Sequence, residues 1–189
     1  GQRRARRRRA GRRGDRIGQA NALADLGMVH RQTSRYAEAE AAQTAALAAY
    51  QQLGDAYGQA NVLRDLGIVH TVHGDYDQAV ARHTAALAIY EQLADRAHQG
   101  YALNELGAVR RLQGDLDAAA AAHLRAMDLY VELGERFGQA NSLRHLGTLR
   151  RLSAWCAEAR KDVALHVAKT GSVSAGSLAA YNESDLWIA

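Results

Sequence analysis

The chain has 189 residues, 48% of them apolar and 23% charged, with 17 Gly and no Pro; this composition belongs to folded proteins and excludes disorder throughout. No run approaches the ~18 consecutive apolar residues of a membrane-spanning helix, and the lone Cys156 excludes an internal disulfide and a thiolate-built zinc site. The net charge of +4 hides a division: residues 1–16 hold nine Arg against Asp15, whereas residues 17–189 hold 15 basic and 19 acidic side chains.

Without proline the chain is free to be helical almost everywhere, and with 6% aromatic residues and few β-branched ones it lacks sheet formers. The expectation is an all-α protein. Arg outnumbers Lys by 22 to 2, a bias expected of a GC-rich bacterial source, and a single thiol suits a reducing, cytoplasmic setting. The chain opens on Gly and has no apolar signal-peptide core, so it reads as a fragment or a processed chain with no mark of export.

Residues 1–13 contain no apolar side chain larger than Ala and read as an arm, either a flexible tail or a frayed extension of the first helix. Its guanidinium groups, Arg3, Arg4, Arg6, Arg7, Arg8, Arg9, Arg12 and Arg13, would attract a polyanion by counterion release without sequence preference. No aromatic residue is interleaved for base stacking, which argues against a specific nucleic-acid site.

From Gly14 the sequence repeats. GDRIGQANALADLGMVH at 14–30 returns as GDAYGQANVLRDLGIVH at 54–70, an offset of 40, and the full units 14–53 and 54–93 agree at 23 of 40 positions. Units 54–93 and 94–133 agree at 15 of 40, and a fourth unit opens at Gly134. Apolar spacing within a unit is helical, with Leu63, Leu66 and Ile68 on one helix and Ala79, His83, Ala86, Leu87 and Tyr90 on the next. The break between them is Gly74-Asp75 or Gly114-Asp115, with Ser34 replacing the glycine in unit one and Ser153 serving as cap in unit four. Asp75 and Gln78 have the spacing of a capping box, and Asp15, Asp55, Asp95 and Glu135 stand at the starts of first helices. Unit four diverges in its second half, yet Ala159 stays in register with Ala39, Ala79 and Ala119, so a degraded second helix is expected to about Lys169.

Gly27, Gly67, Gly107 and Gly147 each follow a Leu, and Ala39, Ala79 and Ala119 are expected to face them so that paired backbones approach closely. His83 and His123 recur at one packing position and read as core residues. His70 and His73 have helical spacing, but no carboxylate or thiolate completes a metal site; no metal and no cofactor are expected. No phosphate-binding Gly loop or nucleophile elbow is present, and no residue stands out for catalysis.

The Leu-Gly pair, the Gly-Asp turn seven residues on and the following Ala, Ala and Tyr resemble the tetratricopeptide repeat over residues 14–169. The 40-residue unit, without Pro at the end of the second helix, is similar to the longer form in Partner of Inscuteable and in bacterial regulatory proteins. The resemblance implies a right-handed superhelical solenoid of about four helix-turn-helix units, 14–53, 54–93, 94–133 and 134–169, with first helices lining a concave groove. It implies a non-enzymatic scaffold that binds a protein or peptide segment, plausible as the sensory or assembly arm of a larger bacterial regulator. The alternative is a nucleic-acid-associated factor acting through the arm.

Carried over by position, the groove holds Asn21, Asn61, Tyr101 and Asn141 in one row and Ala24, Arg64, Asn104 and Arg144 in the next, followed by Asp25, Asp65, Glu105 and His145 and then by Arg31, Thr71, Arg111 and Arg151. Arg111, Arg144, His145 and Arg151 would pair with carboxylates, favouring a ligand whose acidic end lies near units three and four, while Asp25 and Asp65 would take a basic or amide end. The competing reading is that Arg64, Arg144, Asp65 and Glu105 bridge one another between adjacent helices. The tail 170–189 is expected to cap the last repeat through Leu178, Tyr181, Leu186 and Trp187, or to enter the groove of its own or a neighbouring molecule through Glu183–Ala189.

Overall fold

The computed structural model describes the backbone of residues 2–170, and side chains over residues 14–155 and at residue 157. Among the described residues seven helices follow one another: α1 (Gln2–Gln32), α2 (Tyr36–Leu53), α3 (Ala56–His73), α4 (Tyr76–Gln92), α5 (Arg96–Leu112), α6 (Leu116–Leu133) and α7 (Arg136–Thr170). No strand occurs among the described residues, and no helix among them is long and apolar enough to cross a membrane. The chain forms two compact units, residues 1–146 and 147–189. The first holds three helical hairpins, α1–α2, α3–α4 and α5–α6, stacked in order and followed by the start of α7.

Local signals set the turns. Gly54, Gly74, Gly114 and Gly134 lie in the left-handed region, and Ser34 takes the same conformation at φ 59° in unit one, as the sequence predicts. Ala94 does so as well at φ 54°, in the place of a turn glycine. Asp55, Asp95 and Asp115 accept from the backbone amides of Gly58, His98 and Ala118 at 3.0–3.1 Å, and Glu135 accepts from Gly138 N at 2.6 Å.

Three local expectations are overturned. Asp75 makes no side-chain cap hydrogen bond, so the capping box with Gln78 does not form. Asp15 lies inside α1, whose helical backbone runs from Gln2 through the Arg-rich segment; Arg and Ala are good helix formers, and they carry the helix past the Gly14-Asp15 turn signal. Helix α7 passes through Ser153 unbroken, because RRLSAWCAEA offers neither a glycine for a left-handed turn nor an Asp to restart a helix. Unit four is therefore one long helix, and α7 crosses from the first compact unit into the second. The tail 171–189 and the Cys156 side chain lie outside the described residues.

The close approach of paired helices has a different partner from the one expected. Ala39, Ala79 and Ala119 are buried, but a Cβ on Gly27, Gly67 or Gly107 would meet Gln43, His83 or His123, at 2.7 Å, 2.6 Å and 2.6 Å. These three side chains occupy one repeat position, are fully or almost fully buried, and fill the space that the missing glycine side chain leaves. A Cβ on Gly147 would have nothing within 4 Å.

Two substitutions separate packing from helix propensity. Gly67→Ala gains about 1 kcal/mol of helix propensity but drives a methyl into the His83 ring, an overpacking of about 1–3 kcal/mol. Urea denaturation should show it neutral or destabilised, whereas Gly147→Ala should be stabilised.

Candidate functional site

The hairpins are joined by one arrangement used three times. Tyr50, Tyr90 and Tyr130, near the ends of α2, α4 and α6, are buried against the next first helix. The rings of Tyr50 and Tyr130 lie where Cβ atoms of Gly58 and Gly138 would stand, and Tyr90 stacks on His98, which replaces glycine there, with ring centroids 5.1 Å apart. Gln59, Gln99 and Gln139 then donate to the carbonyls of Tyr50, Tyr90 and Tyr130 at 3.4, 3.1 and 3.0 Å. Two expected groove residues belong to this joint: Asn21 and Asn61 accept from the hydroxyls of Tyr50 and Tyr90 at 2.7 Å. Tyr101 stands in place of the next asparagine, exposed, with its ring edge-on to Tyr130 and His98.

With the outer faces of the hairpins committed to one another, the first helices of the first unit leave a concavity of about 390 Å³. It draws Asn21, Asp25 and Met28 from α1, Asn61, Arg64 and Asp65 from α3, and His98 from α5. Arg64 donates to Asp65 at 3.3 Å, a bridge between sequence neighbours on α3 and not between adjacent helices. Burial pushes the Glu105 carboxyl above the usual range, against the pull of Arg64 and Arg31.

Toward the end of the first unit the groove row becomes cationic. Burial, then Arg144 and Arg111, lower the His145 pKa, and Arg144 Nη2 lies 3.0 Å from His145 Nε2. His145 stacks on His123 with centroids 4.5 Å apart and rings 2° from parallel, and Arg144 donates to Asn141 at 2.8 Å. Arg151 belongs to the second unit, where it is exposed and donates to Thr148 Oγ1 at 3.3 Å. Arg3 to Arg13 have side chains outside the described residues.

Asn104 is corrected from groove residue to core residue. It is 5% exposed, its Oδ1 is 2.8 Å from His123 Nδ1, and its Nδ2 donates to Ser142 Oγ at 3.1 Å. The reason lies in its neighbours: His123 and Ser142 are polar groups buried beside it and need a partner with both donor and acceptor, which an amide supplies. No cluster of three or more metal-binding side chains occurs among the described residues.

A tetratricopeptide repeat model matches residues 6–92. That match spans just under half of the chain, and over it the sequence is similar to the tetratricopeptide repeat. Among solved structures, BtubC (BKLC) from P. vanneervenii is similar with a TM-score of 0.67 at 18% identity, over 82% of this chain and 66% of that one, just under two thirds of its length. The first tetratricopeptide domain of Spaghetti (RPAP3), bound to the HSP90 peptide SRMEEVD, has a TM-score of 0.57 at 17% identity, over 72% of this chain and 94% of that one. At these identities the likeness is one of fold. No curated protein sequence matches this chain.

The buried histidines give these repeats a pH signature. Burial, with Arg64 and His70, lowers the His83 pKa to about 4; burial, with His145, Arg111 and Arg144, lowers that of His123 to about 4. Both are neutral when folded but gain protons more readily when unfolded, so their contribution is complete above about pH 6.5 and is lost as pH falls toward 4. The unfolding free energy from urea titrations should drop through that window, by on the order of 1 kcal/mol per pH unit per histidine. His83→Gln, which reproduces the Gln43 and Gly27 contact of unit one, should flatten the drop.

Proposed function

We propose that the chain is a non-catalytic scaffold that holds a peptide or partner segment in the concave face of its first helices. The observation that carries this reading is the open concavity on α1, α3 and α5, where Asn21, Asp25, Asn61, Arg64, Asp65 and His98 line the wall beside Ala24, Met28 and Val62, while the buried apolar positions are used between repeats. A solenoid that spends its Leu, Ala and Tyr positions on neighbours has this face left for a ligand.

The electrostatics support a direction for the ligand. Asp25 and Asp65 suit a basic or amide group near units one and two, and Arg111, Arg144 and His145 suit a carboxylate further along. The acidic end of the ligand then lies toward units three and four. The Spaghetti domain, whose fold this chain shares, was solved with an acidic peptide, which supports an acidic probe here. A role as the sensory or assembly arm of a bacterial regulator is the broader biological reading that suits such a scaffold.

The test is a titration of the full chain with the peptide SRMEEVD, comparing wild type with the Arg111→Ala/Arg144→Ala double variant. Charge-assisted hydrogen bonds contribute about 1.5–3 kcal/mol each, so the variant should bind at least about tenfold more weakly. Equal affinity of the two proteins, or no binding to wild type, would contradict the proposed direction.

A further inference from the structure

The third unit differs from the others on the groove side of its first helix. In the row of Gly18, Gly58 and Gly138 it has His98, and in the row of Asn21, Asn61 and Asn141 it has Tyr101. The joints between hairpins do not account for either residue. Tyr50 and Tyr130 close on glycine, and Tyr50 and Tyr90 find an asparagine oxygen for their hydroxyls, which Tyr101 withholds from Tyr130 in that row.

What the two residues make together is an aromatic surface. His98 lies on the buried Tyr90 with the planes 29° from parallel, so one face of the imidazole is covered, and the ring lines the concavity of α1, α3 and α5. Tyr57 and Tyr101 stand against it at 82° and 65°, with centroids 5.5 and 6.0 Å away, and Tyr57 Oη is 3.3 Å from His98 Nε2. Tyr57 precedes Asn61 by four residues and so shares its face of α3. It is 44% exposed and Tyr101 42%, which leaves ring area beside the groove for a ligand to cover.

The charges around these rings select the ligand. Asp25 from α1 and Asp65 from α3 line the same concavity as His98, and Asp95 Oδ2 lies 2.8 Å from His98 Nδ1. Against these three carboxylates the concavity holds Arg64, which donates to Asp65. A ring face is the negative end of the aromatic quadrupole, so rings and carboxylates together favour a cation. Asp25 and Asp65 stand on different helices and offer no single fork to a planar guanidinium, whereas an ammonium donates in several directions from one point. A lysine also brings an apolar stem that covers ring surface while its charged end stays in a polar setting.

We propose that Tyr57, His98 and Tyr101 seat a lysine side chain of the bound segment, with its stem against the rings and its ammonium in the concavity beside Asp25 and Asp65. The proposal rests on the concave face being the ligand face, and it gives the basic part of the ligand a residue type and a place between the second and third hairpins. The rings set the position of the side chain, and the carboxylates discriminate its charge from a neutral chain of the same length.

The probe is n-butylammonium, the end of a lysine side chain, titrated with the full chain and followed by the ring-current shift of its own methylene protons in NMR. The control is 1-butanol, which has the same chain without the charge. The expected result is a saturable upfield shift, with butylammonium bound at least about tenfold more tightly than 1-butanol. Tyr57→Leu/Tyr101→Leu should weaken it at least about tenfold, whereas Tyr57→Phe/Tyr101→Phe, which keeps the ring faces, should stay within about twofold of wild type. If the leucine pair loses the wild-type circular dichroism, Tyr101→Leu alone takes its place, and the comparison of the two probes on wild type needs no variant. Butylammonium bound no more tightly than 1-butanol, binding that ignores the loss of the rings, or no saturable shift would each overturn the proposal. The probe carries no carboxylate, so failure of the SRMEEVD titration and failure of this one are read separately.

Discussion

The fold depends on a tyrosine at the end of each second helix being received by the next first helix. A helical hairpin cannot bury its own apolar face, so its stability comes from the neighbour. Tyr50, Tyr90 and Tyr130 are buried at the joints, and the following Gln ties the carbonyl of the same residue to the next helix. The arrangement places bulk where the receiving helix has glycine, and at the one joint without it His98 offers a flat ring on which Tyr90 stacks. Two independent groups on one tyrosine, ring and carbonyl, thus fix both the distance and the register between hairpins.

Function follows from what these joints leave over. Because Asn21 and Asn61 are held by tyrosine hydroxyls, they line the groove as oriented groups whose remaining hydrogen-bonding capacity faces the concavity. In the proposed reading, Asp25 and Asp65 and the guanidinium groups of Arg111 and Arg144 meet the ligand on a frame whose spacing the joints have set.

Much of this was legible in the sequence, and the reasons it was legible are physical. The 40-residue period, the Gly-Asp breaks and the left-handed Ser34 are local signals, read from residues whose backbone preferences are strong. What was not legible depended on neighbours distant in sequence. Asn104 occupies the register of Arg64, and only the meeting of His123 and Ser142 turns it inward. Glycine at 67 announces a close approach but not which side chain makes it; the answer, His83, lies sixteen residues on, while Ala79 had the expected small size. In α7 the fourth repeat kept the register of its alanine but lost the turn residues, and continuation of the helix won.

The most direct measurement on the joint is the stability and hydrogen exchange of Tyr90→Ala. If the tyrosine couples α4 to α5, urea denaturation should lose about 3–5 kcal/mol, and amide protection should fall in both helices together. A loss below about 1 kcal/mol, or a fall in protection confined to α4, would contradict the account.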